Sequence, residues 1–124
     1  MDENRVNAES VATDLPAWDE AAALEVTGDN PDLARELVQM LVRGLPQDLS
    51  DLRRCFQAKD WPLLTATAHR MRGATSYCGV PALDARLKAL EDSAKAGDRE
   101  RIDAGLAQVM REAERLTRMV TPLE

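Results

Sequence analysis

Aromatic side chains are scarce, at 3% of the 124 residues. A β-sandwich or barrel, which packs its pleated faces largely with aromatic and β-branched side chains, has little to build from. Glycine and proline are sparse, six of each, while 31% of residues are charged. That balance leaves disorder to the chain ends. There is no basic excess: 16 Lys and Arg stand against 22 Asp and Glu, a formal net charge of -6. A general nucleic-acid binder needs a basic face, so nucleic acid is not an expected partner. No apolar run approaches the length of a membrane span, so neither a transmembrane segment nor direct membrane contact is expected. The acidic, polar start lacks the pattern of a signal peptide. Cysteine is limited to Cys55 and Cys78, best read as buried thiols in a reduced, cytoplasmic setting. One histidine and two distant cysteines make a poor zinc site, and no Walker-type glycine loop or kinase-like nucleotide motif occurs. No metal or cofactor of the chain's own is expected.

What is abundant is alanine, leucine, glutamate and arginine, the composition of helices. Residues 1–14 are polar and without periodicity and read as a flexible tail. Residues 15–121 read as one all-α domain, the length expected of a single modest core. Pro16 opens a short helical stretch through Trp18, Ala22 and Val26, stopped by Gly28. Asn30 and Pro31 supply an N-cap and a first helical residue. Leu33, Leu37 and Leu41, then Leu49, Leu52 and Phe56, follow as one long helix bent near Pro46. Asp60 caps the next helix, whose stripe is Trp61, Leu64, Ala68, Met71, Thr75 and Cys78, ended by Gly79. Pro81 starts another with Leu83, Leu87, Leu90 and Ala94, closed by Gly97. Asp98 caps the last, through Ile102, Leu106, Val109, Ala113, Leu116 and Val120. Four amphipathic helices with short links predict an antiparallel up-down four-helix bundle, preceded by a short extra N-terminal helix. The stripes are consumed by one intramolecular core, which predicts a monomer.

The single histidine, His69, falls off its helix's stripe, about 130° from the stripe centre at 100° per residue. It is therefore not read as a satisfied core histidine. An exposed imidazole on a rigid rod offers a nucleophilic nitrogen at neutral pH, since its ordinary pKa is about 6.5. Gly73 lies one turn on, on the same side, in mid-helix, where glycine costs about 1 kcal/mol against alanine. A missing side chain there leaves room for a phosphoryl group, or for the partner that carries one, and close helix packing is the weaker explanation because Gly73 faces outward. Arg72, at i+3, is placed to hold phosphate oxygens. Thr65 and Ser76 are small and keep the patch open, and Arg70 points further toward solvent. Trp61 and Phe56 are expected in the core or at a bundle end. Tyr77 is expected to pack or cap.

The run Ala68-His69-Arg70-Met71-Arg72-Gly73-Ala74, followed by Gly79, Leu83, Leu87 and Leu90-Glu91, resembles the signature of histidine-containing phosphotransfer (HPt) domains. The segment from Gly73 to Pro81 is similar to the HPt domains that end BarA/GacS-type hybrid sensor kinases. Two positions depart from the common pattern: Met71 stands for leucine, a volume-conserving swap, and Arg72 for lysine, which keeps the charge but not its point-like geometry. The resemblance implies that His69 accepts a phosphoryl group from a receiver-domain aspartate and passes it to another receiver. It also implies that the receiver supplies the acidic pocket and Mg²⁺, so that this chain has no kinase or nucleotide-binding activity. It would be a stand-alone protein or the C-terminal cytoplasmic module of a membrane-bound hybrid kinase. Thr65, Ala66, Arg70, Gly73 and Ser76 would meet the receiver, and Glu91 would be structural. Two other readings remain at this point. One is a helical adaptor bundle binding a protein partner, which leaves Gly73 beside His69 unexplained. The other is an enzyme using His69 as general base, which needs a pocket and a second catalytic group.

Overall fold

The computed structural model describes residues 15–120, all of its regular elements helical. The expected tail, residues 1–14, and the last residue of the expected domain, 121, lie outside them. The helices are α1 (Glu20–Val26), α2 (Pro31–Gln57), α3 (Trp61–Thr75), α4 (Pro81–Ala96) and α5 (Arg99–Val120). Consecutive helices from α2 to α5 pack side by side, α5 closes the ring on α2, and α1 leans on α2. This is the four-helix bundle with an extra N-terminal helix that the periodicity predicts.

The caps are set by single residues. Asn30 Oδ1 accepts from Leu33 N–H at 3.1 Å with Pro31 at the first position of α2. Asp60 Oδ1 accepts from Leu63 N–H at 3.1 Å. Each satisfies a backbone donor that the first turn leaves without a helical partner. Gly97 ends α4 in the left-handed conformation, φ 68°. Helix α2 runs unbroken through Pro46, as one long element.

Three details depart from the sequence expectation. Pro16 does not open α1; the helix begins at Glu20, with Asp19 as cap accepting from Ala22 N–H at 3.1 Å. Helix α3 stops at Thr75, so Cys78 belongs to the following turn, and Gly73 lies in the last turn rather than mid-helix. The buried face of α2 is Ala34, Val38, Leu41, Val42, Leu45, Leu52 and Cys55, while Leu33 is exposed. Small and β-branched residues, not the leading leucine, turn inward at the start of α2.

The core runs the length of the bundle, from Val38, Leu45 and Leu52 of α2 through Leu64, Leu83, Leu87 and Leu90 to Ile102, Val109 and Leu116 of α5. Phe56 and Trp61 close one end, ring centroids 5.9 Å apart and tilted at 47°. Both cysteines are free and buried, and burial pushes the Cys78 thiol up, away from its reactive thiolate form. At the other end a non-helical segment is strapped across the α3–α4 turn. Asp19 N–H donates to Gly79 O at 2.7 Å, Trp18 Nε1–H to Cys78 O at 3.0 Å, and Ala82 N–H to Pro16 O at 3.3 Å. Gly79 is required there: its φ is +68°, and a Cβ would stand 2.6 Å from Asp19 O. None of the helices is long and apolar enough to cross a membrane, among the described residues.

Candidate functional site

His69 stands on the outer face of α3, its side chain 73% exposed, while Ala68 and Met71 beside it carry the helix into the core. The ring is nevertheless fixed. Nδ1 lies 3.0 Å from Oε2 of Glu91 on α4, whose side chain is only 6% exposed. A carboxylate accepts and cannot donate, so in the neutral ring Nδ1 carries the proton and Nε2 the lone pair. The exposed end of the ring is therefore the Nε2 end.

The Glu91 carboxylate is held by three cationic or donating groups. Arg72 NH1 reaches Oε1 at 3.3 Å, Lys95 Nζ reaches Oε2 at 3.4 Å, and His69 takes Oε2 as well. Burial alone would raise the Glu91 carboxyl, but hydrogen bonds from Arg72, His69 and Lys95 outweigh it, and the group sits below the usual carboxylate range. It is thus ionised at neutral pH. Arg72 also donates from Nε to Asp84 Oδ1 at 3.4 Å, and Thr75 Oγ1–H donates to the same oxygen at 2.6 Å. Burial works against the Arg72 charge, yet its bonds to Glu91 and Asp84 raise its pKa further. The chain of contacts from Asp84 through Arg72 and Glu91 to His69 locks α3 and α4 together beneath the imidazole.

The other expected site residues divide. A Cβ built on Gly73 meets nothing within 4 Å, so internal packing does not demand a glycine there, and the space beside the imidazole is open. Ala66 and Ser76 are exposed on the same side. Ser76 Oγ–H donates to Gly73 O at 3.0 Å and half-buried Thr65 Oγ1–H to Trp61 O at 2.8 Å, so both hydroxyls are turned onto their own backbone. Arg70 is exposed to solvent as expected, and its NH2 also lies 3.2 Å from Asp48 Oδ1 on α2. Tyr77 does not pack into the core; it is exposed and lines, with Met40 and Leu37, an apolar groove between α2 and the end of α3.

The sequence leaves Asp84 and Lys95 unmarked and gives Glu91 only a structural role in the motif, not its contact with His69. Glu91 had a signal: it lies four residues after Leu87, on the buried stripe of α4, and a carboxylate on an apolar stripe needs a partner. Among the described residues, no group of three or more His, Cys, Asp and Glu side chains is placed to hold a metal ion.

Known proteins resemble this arrangement in sequence and in fold. A family model described as the Hpt domain matches residues 36–122. The chain is 33% identical over 85 residues to the sensor histidine kinase GacS of Pseudomonas protegens, covering 68% of this chain and 9% of that protein. It is 29% identical over 96 residues to the virulence sensor protein BvgS of Bordetella pertussis, covering 76% of this chain and 8% of that one. The chain thus spans less than a tenth of the length of these curated relatives. The crystal structure of histidine-containing phosphotransfer protein B (HptB) from Pseudomonas aeruginosa PAO1 superposes with a TM-score of 0.76 at 27% identity, covering 86% of this chain and 93% of that one.

Proposed function

Because this chain belongs to the Hpt domain family, which carries out histidine phosphotransfer in phosphorelays, we propose that His69 is its phosphoacceptor and that Nε2 is the reacting atom. The observation that carries this reading is the contact between Nδ1 and the ionised Glu91. In the neutral ring it leaves the Nε2 lone pair directed at solvent, beside the open space over Gly73. The Nε2 lone pair attacks the phosphorus of a receiver's aspartyl phosphate. The P–O bond to the aspartate breaks, and its electron pair leaves with the carboxylate. No proton has to leave His69 first. The ring gains positive charge as the N–P bond forms, and Glu91, already ionised on Nδ1–H, offsets it. Transfer onward reverses these steps on a second receiver. Phosphoryl transfer of this kind needs positioning and charge stabilisation more than covalent catalysis.

Hpt domains act as phosphotransfer intermediates with receiver domains as partners. For this chain we further infer that it has no kinase or nucleotide-binding activity, needs no cofactor of its own, takes Mg²⁺ chemistry from the receiver and works as a monomer in the cytoplasm. Arg72, bonded to Glu91, supports the carboxylate that orients the ring. Docking falls on Thr65, Ala66, Arg70, Gly73 and Ser76, extended by exposed Tyr77 and Met40, apolar side chains suited to a receiver helix.

Transfer from a radiolabelled phosphorylated receiver with Mg²⁺, to the wild type and to His69→Gln, tests the reading. Acid-labile, alkali-stable label on the wild type alone is the expected result. No label on either, across a panel of receivers, favours the adaptor bundle.

A further inference from the structure

We propose that Lys95 is a phosphate-neutralising cation of the site, one that exchanges the Glu91 carboxylate for a phosphoryl oxygen once His69 is phosphorylated. The proposal rests on His69 being the phosphoacceptor and adds a residue that the sequence motif does not mark.

Charge balance comes first. Around the imidazole, Glu91 and Asp84 face Arg72 and Lys95, two negative groups against two positive. A phosphoryl group adds nearly two more negative charges. Arg72 cannot respond freely, because its guanidinium spans both carboxylates, with Nε on Asp84 and NH1 on Glu91, and its side chain is only 29% exposed. Moving it would loosen two contacts at once, leaving Asp84 with the Thr75 hydroxyl as its remaining partner.

Lys95 differs on each count. It lies in the last turn of α4, four residues after Glu91, with its side chain 60% exposed. Its ammonium meets Glu91 at Oε2, the same oxygen that His69 Nδ1 contacts. Ammonium and ring are therefore separated by no more than the sum of those two contacts. A flexible four-carbon stem carries the charge, so a short swing brings Nζ toward a group on Nε2. Lys88, on the same helix and equally exposed, pairs with Asp92 instead. It is the natural comparison.

The test phosphorylates His69 chemically with phosphoramidate, which releases ammonia as the N–P bond to histidine forms, so that receiver docking does not enter. Two quantities are read by ³¹P NMR: the lifetime of the phosphohistidine, and the equilibrium share of phosphoryl on histidine after a receiver and Mg²⁺ are added. Lys95→Ala is expected to lower the histidine share about threefold to fivefold, the scale of one exposed charge pair. Lys95→Arg should restore it, and Lys88→Ala should leave it unchanged. The Lys95→Ala effect should persist in a Glu91→Gln background, since it acts on the phosphoryl group itself. An unchanged histidine share in Lys95→Ala overturns the proposal. So does an effect that vanishes with Glu91→Gln, which would make Lys95 a support for Glu91 alone. If the wild type takes label no better than His69→Gln, the phosphoacceptor reading has failed and this proposal falls with it.

Discussion

At the scale of single residues, the site depends on one buried carboxylate. Glu91→Gln keeps the shape but gives up the charge that faces Nδ1–H. Transfer from a phosphorylated receiver should slow on the order of tenfold, about one pK unit's worth of interaction, with the helical circular dichroism unchanged. The same variant has a signature in acid. The folded Glu91 carboxyl sits below its usual value. Its contribution to stability is therefore complete above the unfolded value of about 4.3 and is lost as pH falls through the lower folded one. Urea denaturation should find the wild type more stable than Glu91→Gln at neutral pH, with the gap closing below about pH 4. Gly73 gives a second prediction. Its added Cβ meets open space, so Gly73→Ala should raise stability by up to about 1 kcal/mol in thermal melts. Gly73→Gln, which fills the space beside the ring, should slow transfer on the order of tenfold. The outward placement of His69 and the open space at Gly73 were legible from their positions off the buried stripe of the helix. The His69–Glu91 pair was not, because it joins positions 22 residues apart, and only the relative rotation of α3 and α4 decides which side chains meet.

At the scale of elements, caps and helix number follow from local chemistry, and the sequence shows them well. Asn30, Asp60 and Gly97 act where they are expected. Faces are harder. The spacing of Leu33, Leu37 and Leu41 suggested a seam, yet the buried line at the start of α2 runs through Ala34 and Val38. Leucine spacing marks an apolar sector, and neighbouring helices choose which edge of it is covered. Pro46 offers a test of element integrity. It sits exposed inside α2 and has no N–H to donate to the carbonyl one turn back. Pro46→Ala should restore that bond and stabilise the bundle on the order of 1–3 kcal/mol, read as a raised Tm. Phosphorylation of His69 by phosphoramidate should be unaffected, since the ring and its bonded partners lie on α3 and α4.

At the scale of the whole molecule, the strap of residues 15–19 over the α3–α4 turn is the feature least visible in sequence. Two of its three bonds to the turn and to α4 run backbone to backbone, and such bonds leave little side-chain pattern to read. Its test compares two glycines with the same φ. At Gly97 an added Cβ meets only Trp61 at 3.9 Å, so Gly97→Ala should cost just the left-handed backbone penalty, about 1–2 kcal/mol. At Gly79 the same change also drives into Asp19 O, and denaturant midpoints should place Gly79→Ala clearly below Gly97→Ala. The molecule as a whole presents one ring nitrogen in one direction, because the other is pinned to Glu91. On the phosphoacceptor reading, donor and acceptor receivers must then arrive by the same door, one after the other. The traffic is ping-pong: an unphosphorylated receiver occupying the doorway inhibits its phosphorylated counterpart competitively.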